Sequence, residues 1–363
     1  MKSSTHALCL LLFLLFSACG TESPQQSEKN DVAAAAPSPP TLEVVAEMDI
    51  NPGNVSVSST GKVFTSIHPM RATDLQLVEL TGPKSYAAFP NAEFQSSPDN
   101  KSDERFDTPL GTLFDGKDRL WVIDPGLNIG KTRVFAFDIN NRKQLMRFDV
   151  PAELAPSTSF VQDIAVDDQN GWVYLADFGN PGIIAINLAG GSFRKLTHLP
   201  SMQSEDIDMI VDGKAQLFNG APARIGLNPI TLSADGEQLY YGAMNGTKWY
   251  GLSTKPIREG KEDADILATL TTAGPKPISD GAATDSKGNH YFTNLANNSI
   301  DRLDAEGNLQ TLVKDPRLDW PDNVRLLNDE WLYIAVNQLH KTSAFTGDAD
   351  LGKPPYLIMR VKL

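Results

Sequence analysis

One pattern recurs six times along this chain: a polar turn followed by a short strand with an aromatic near its start. The strands are Gly61-Lys62-Val63-Phe64-Thr65, Arg119-Leu120-Trp121-Val122-Ile123, Trp172-Val173-Tyr174-Leu175-Ala176, Gln238-Leu239-Tyr240-Tyr241-Gly242, Asn289-His290-Tyr291-Phe292-Thr293 and Trp331-Leu332-Tyr333-Ile334-Ala335. Aligned on Phe64, Trp121, Tyr174, Tyr240, Tyr291 and Tyr333, they lie 57, 53, 66, 51 and 42 residues apart. The preceding turns are rich in Asp, Asn, Ser and Gly, as in Asp115-Gly116-Lys117-Asp118 and Asp285-Ser286-Lys287-Gly288. Such a unit cannot bury both faces of its own small sheet, so the units must pack on one another. A period near fifty residues with a strand–turn–strand in each unit predicts an all-β fold, a six-bladed β-propeller. Leu42, Val44 and Val45 begin a first strand, and Leu357-Ile358-Met359-Arg360-Val361 is a last one. Pairing these two ends would close the ring and remove its open edges. The polar stretches 91–108 and 255–265 read as inter-strand loops, the first of them mobile.

The chain has 363 residues, 41% of them hydrophobic, and a formal charge of −13. It is long enough for a large core, and the repeat favours one ring over two domains. The acidic balance speaks against nucleic acid as a partner. It would suit a cationic ligand, though most acidic proteins carry such charge simply for solubility.

Residues 1–18 have the form of an export signal: Lys2 gives a basic start, and 7–16 is an apolar run too short to span a membrane permanently. Phe16-Ser17-Ala18-Cys19 resembles a bacterial lipoprotein lipobox, with Phe16 in place of the usual Leu. That resemblance implies lipidation at Cys19 and attachment of the mature chain to a membrane through its lipid; simple secretion with cleavage nearby is the alternative. Residues 19–40 lack an apolar face and form a disordered tether, leaving 41–363 as the propeller. The chain has two cysteines, Cys9 and Cys19. Loss of Cys9 with the signal leaves no thiol pair for a disulfide, a cysteine nucleophile or a cysteine metal site.

The sequence contains no Gly-rich phosphate loop, no zinc-type His pair at helical spacing and no Gly-x-Ser-x-Gly elbow. Histidines beyond the signal are His68, His198, His290 and His340. His290 falls where the other repeats hold Val63, Leu120, Val173, Leu239 and Leu332, so it reads as a core histidine. More informative are the polar residues that open the units. In propellers the first strand of each blade lines the central channel. Counting back from the turns places Asn54, Asp163, Asn228, Asp280 and Asp322 together at one mouth. Such a set can hold Ca²⁺ through oxygen ligands or an organic ammonium by charge. It can also simply cap turns and strand ends.

Leu120-Trp121-Val122-Ile123-Asp124-Pro125-Gly126 resembles the Leu-Trp-Val-Leu-Asp-x-Gly signature of the major royal jelly/yellow family. Asp163-Ile164-Ala165-Val166-Asp167, Ser192-Phe193-Arg194 and Leu239-Tyr240-Tyr241 add to the likeness. Trp320-Pro321-Asp322, Asn337-Gln338-Leu339-His340 and Pro355-Tyr356-Leu357-Ile358-Met359-Arg360-Val361 resemble the last blade of bacterial members. The resemblance covers about 42–363. It implies a six-bladed propeller outside the cytoplasm, with small amines bound, or dopachrome converted, in some insect members. Two function classes follow. One is a binding module for a small amine or aromatic ligand at the channel, with Trp249, Tyr250, Tyr291 and Phe292 as candidate π surfaces. The other is a metal-dependent hydrolase similar to gluconolactonases, in which a metal polarises a lactone carbonyl. Those hydrolases place a glutamate metal ligand in the first blade at the channel end. Here Asn51-Pro52-Gly53-Asn54 fills that region, and the nearest glutamate is Glu47.

Overall fold

The computed structural model describes residues 40–363 apart from His198. The signal, the Cys19 lipidation position and the tether lie outside the described residues. Among those residues, six four-stranded antiparallel sheets follow one another along the chain. Blade 1 runs from Pro52–Val57 through Val63–Ile67 and Leu77–Gly82 to Ser85–Ala88. Blades 2 to 5 begin with Thr112–Phe114, Val161–Asp167, Leu227–Leu232 and Ala282–Thr284. Blade 6 takes Pro321–Leu327, Trp331–Val336 and Tyr356–Lys362 from the end of the chain. Its fourth, outermost strand is Leu42–Met48, antiparallel to Tyr356–Lys362 with Leu42 opposite Val361 and Met48 opposite Tyr356. The two ends of the propeller therefore share one sheet, and their pairing closes the ring.

The repeated aromatics all lie on second strands, and the turn chemistry explains two of them. Asp115 accepts from the Trp121 indole N–H at 2.8 Å and from the backbone of Lys117 and Arg119. Asp285 likewise accepts from the Tyr291 hydroxyl at 3.0 Å and from the backbone of Lys287 and Asn289. One carboxylate thus closes the turn and ties down the ring, which is why the polar turn and the aromatic recur together. Gly171 and Gly288 take φ of 74° and 81° in these hairpins, while Asp118 and Asp329 occupy the same left-handed region in theirs.

Apolar clusters fill the spaces between blades. Phe64, Phe89, Phe106, Phe135 and Phe137 form one between blades 1 and 2, with several rings edge to face. His290 packs against Trp249 and Tyr240 and bonds Thr284 at 2.8 Å. Burial pushes its imidazole down to about 4, consistent with a neutral core histidine.

Both polar stretches connect strands, as expected, and each carries short helical turns. Segment 91–108 begins with a 3-10 turn, Ala92–Phe94, and is anchored by the fully buried Phe106 and by Asp107, which bonds Lys101 and Asn128. Two short helices, Lys255–Arg258 and Asp263–Leu267, occupy 255–265 and the two residues after it, and they sink Ile257 and Ile266 into the core. Isolated apolar residues in polar surroundings give too little periodicity to announce such turns.

Candidate functional site

Four of the six first strands are irregular at the same end. Register shifts fall between Pro52 and Val55, Val161 and Asp163, Leu227 and Ile230, and Pro321 and Asn323. Asn54, Gln162, Asn228 and Asp322 sit within these shifts. A bulge releases a residue from the strict alternation of a strand and re-aims its side chain. Asp280 lies just ahead of the short first strand of blade 5. Gly281 lets that strand approach blade 6: a Cβ there would stand 2.7 Å from both the Asn323 Cα and the Asp322 carbonyl oxygen.

The side chains so placed form two connected networks. Asp280 Oδ1 accepts from Asn228 Nδ2 at 2.5 Å and from Gln162 Nε2 at 3.1 Å; its Oδ2 accepts from the Trp320 indole at 2.8 Å. Asp322 accepts from Asn337 at 2.7 Å and from Asn54 at 3.3 Å. Asn54 accepts in turn from Asn323 at 3.1 Å. All five expected residues are buried; at the mouth hydrogen bonds link Asn54 with Asp322 and Asn228 with Asp280.

Asp163 departs from that set. Its register matches Asn323 rather than Asp322, since Asp163 faces Ala176 where Asn323 faces Ala335. Its side chain turns deeper, accepting from Arg325 at 2.7 Å and from the backbone of Ile164 and Ile230. Arg325 reaches from blade 6 across the channel and also donates to the carbonyls of Thr112 at 3.0 Å and Ala282 at 3.4 Å. The guanidinium therefore plugs the channel, with the acidic mouth on one side. On the other lies a basin of about 260 Å³ lined by Ser56, Leu113, Ala165, Thr231 and Ala283. Arg325 escapes notice in a search for carboxylates and amides. Alignment on the aromatics does mark it: paired with Tyr333, it replaces Ser56, Leu113, Ala165, Thr231 and Ala283 of the other repeats.

Among the described residues Asp280 and Asp322 make no ion pair. Burial pushes the Asp280 carboxyl up to about 7, against the pull of its hydrogen-bond donors, and the Asp163 charge adds to the rise. Asp322 is raised well above the carboxylate range by burial and then by Asp280. Asn228 Oδ1 and Asn337 Oδ1 are buried and accept no hydrogen bond from the described residues.

An apolar lid covers the mouth. It comprises two ribbons after blade 3, Ile210–Val211 with Lys214–Ala215 and Leu217–Phe218 with Ala221–Pro222, and the turn Leu339–Lys341 with helix Ser343–Thr346 from blade 6. Phe218 meets Phe345 at 5.2 Å, and Phe345 meets Trp320 at 5.1 Å. Beneath it a chamber of about 20 Å³ touches His68, Gln162, Asp280, Trp320, Phe218 and Phe345. Burial, with the nearby Arg71 charge, pushes His68 down to about 3, so it is neutral. The expected aromatic surface is corrected here: Trp249, Tyr291 and Phe292 are buried within the blade cores, and Tyr250 stacks on Tyr241. The ring that touches the acidic mouth is Trp320. Glu47 is also remote, on the outermost strand of blade 6 and paired with Lys84.

Sequence and fold comparisons agree with this architecture. Royal jelly protein 7 of Apis mellifera is 25% identical over 269 residues, covering 62% of this chain and 57% of that protein. The chain spans about half the length of the royal jelly proteins it matches. Among solved structures, a gluconolactonase from Xanthomonas campestris superposes with a TM-score of 0.55 at 12% identity, over 89% of this chain and 90% of that one. The calcium-binding protein regucalcin from Agrobacterium tumefaciens gives 0.54 at 14% identity, over 88% and 92%. At these identities the likeness is one of fold. The sequence profile of the major royal jelly proteins matches residues 108–362, from the segment before blade 2 to the closing strand of blade 6, and on that match the chain belongs to the major royal jelly protein family.

Proposed function

We propose that this chain is an exported propeller, anchored to a membrane through Cys19, that binds a small organic ammonium ligand at the channel mouth. The observation that carries the binding reading is the pair of buried carboxyls, Asp280 and Asp322, which lack a cation among the described residues and lie under an aromatic and aliphatic ceiling. Burying such groups charged costs several kcal/mol unless a proton or a cation compensates. An ammonium replaces the proton, and its apolar body meets Trp320, Phe218 and Phe345. A chamber of about 20 Å³ holds one water-sized group. A larger ligand therefore enters by displacing lid side chains.

The free carbonyl oxygens of Asn228 and Asn337 favour a second reading. With Asp280 and Asp322 they make an oxygen-only donor set of the kind that suits Ca²⁺. Bound there, the ion would polarise a substrate carbonyl, as in a metal-dependent hydrolase. Blade 1 supplies the amide of Asn54 to such a set, not a carboxylate. Thermal-shift series on wild type and Asp280→Asn, with biogenic amines, Ca²⁺ and EDTA, separate the two readings. Stabilisation by an amine that vanishes in the variant supports the first, and the same pattern with Ca²⁺ supports the second. If no cation shifts either protein, both fail.

A further inference from the structure

Outside the channel, Asp212, Asp319 and His340 converge where the lid meets blade 6, each able to offer one ligand atom within 4.8 Å of the others. Asp212 is at the turn of the first lid ribbon, Asp319 precedes Trp320, and the His340 ring stacks on Trp320 at 5.7 Å. His340 Nε2 stands 3.3 Å from Asp212 Oδ2 and 3.5 Å from Asp319 Oδ1. Lys341 holds the other oxygen of Asp319, which leaves Oδ1 directed at the imidazole.

His340 is 8% exposed, and its Nδ1 finds no hydrogen-bond partner among the described residues. Neither neutral tautomer is comfortable in this setting. With the proton on Nδ1, the Nε2 lone pair faces two carboxylates. With the proton on Nε2, one N–H spans distances longer than the ~2.7–2.9 Å of charge-assisted bonds, and a buried lone pair is left over. A metal ion on Nε2 removes the first conflict, since it takes the Nε2 lone pair and the carboxylate oxygens together; Nδ1–H is then left without a partner among the described residues, as in that tautomer. Two ligand atoms about 2.1 Å from a tetrahedral ion lie about 3.4 Å apart, between the two observed separations. The cluster borders a groove of about 650 Å³ that also meets Lys214, Gln338 and Lys353, so water can complete the coordination shell.

We infer that Asp212, Asp319 and His340 bind one divalent transition ion of the zinc type, which staples the lid ribbon to blade 6. Val211 and Phe218, beside Asp212 in the lid, pack in one cluster with Trp320 and Phe345, so occupancy of this site restrains the ceiling of the chamber. The inference is independent of any ligand in the channel.

The test is titration of the full chain with Co²⁺, followed by visible d–d absorption, and hydrogen exchange of 209–223 with and without Zn²⁺. One Co²⁺ per chain is expected at this site, with affinity weakened about tenfold or more in Asp212→Asn and His340→Gln. Zn²⁺ is expected to slow exchange in the lid of wild type and not of Asp212→Asn. Asp212 has a 53% exposed side chain, so its substitution leaves the fold intact even where that of His340 disturbs packing. Absence of saturable Co²⁺ binding by wild type, or equal affinity in Asp212→Asn, overturns the site.

Discussion

Arg325 is the residue on which the electrostatics of the channel turn. Removing one partner of a buried ion pair leaves an uncompensated charge and costs about 3–5 kcal/mol. Arg325→Met is therefore expected to lower stability by that amount in urea unfolding, and adding Asp163→Asn should recover part of the loss. Equal stability of single and double variants would show that the guanidinium matters only for its carbonyl contacts. Asp280 makes a pH-dependent prediction. Its carboxyl titrates at about 7 when folded, against an ordinary 3.8. The folded state thus holds the extra proton between these values, its stabilising effect is complete below the lower one, and stability falls as pH rises through the window. Wild type should lose up to about 4 kcal/mol relative to Asp280→Asn across it; parallel curves for the two proteins would contradict the raised value. At this scale Asp280, Asp322 and Asn228 were legible as polar residues at fixed distances from the turns. The role of Asp163 was not, because a one-residue register shift changes which partner a side chain meets.

At the scale of elements, the mouth is made by bulges and close approaches rather than by regular strand. Gly281 has room for a hydrogen and not for a methyl group. Gly281→Ala is expected to push the first strands of blades 5 and 6 apart and to cost about 1–3 kcal/mol. It should also weaken whatever cation Asp280 and Asp322 hold. Thermal melting reads the first effect and the ligand-induced shift reads the second; an unchanged melting temperature would mean that the strands yield without strain. The lid is the element least visible in the sequence. Its strands are two residues long, and the residues that seat it, Phe218, Leu339 and Phe345, stand in short segments with no apolar periodicity. Their common face exists only after distant segments meet.

For the whole molecule, the ring depends on one antiparallel pairing between its ends. Removing 356–363 withdraws a central strand of blade 6 and leaves Leu42–Met48 without a partner. The truncated chain should lose cooperative melting and form soluble aggregates on size exclusion with light scattering. A monomer with native melting would show that the ring stands without closure. Cellular fractionation tests the anchor: Cys19→Ser should release the mature chain from membranes or stop its processing. A mature variant that still sediments with membranes would remove the basis for a lipid attachment.

Blade count, second strands and closing ends are legible in the residues alone. These follow from local chemistry repeated along the chain: an Asp-rich turn, an aromatic that its carboxylate ties down, and an apolar strand of fixed length. Counting back from the turns also groups Asn54, Asp163, Asn228, Asp280 and Asp322 as candidates for one end of the ring, since first strands all run the same way through a propeller. Which of them share a network depends on contacts between blades. Bulges reset the facing of Asn54, Gln162, Asn228 and Asp322, and Arg325 crosses the channel to take Asp163 out of the set. The lid brings Trp320 and His340 to the rim. Those outcomes rest on contacts between residues up to 269 positions apart, where spacing along the chain carries no information about distance in space.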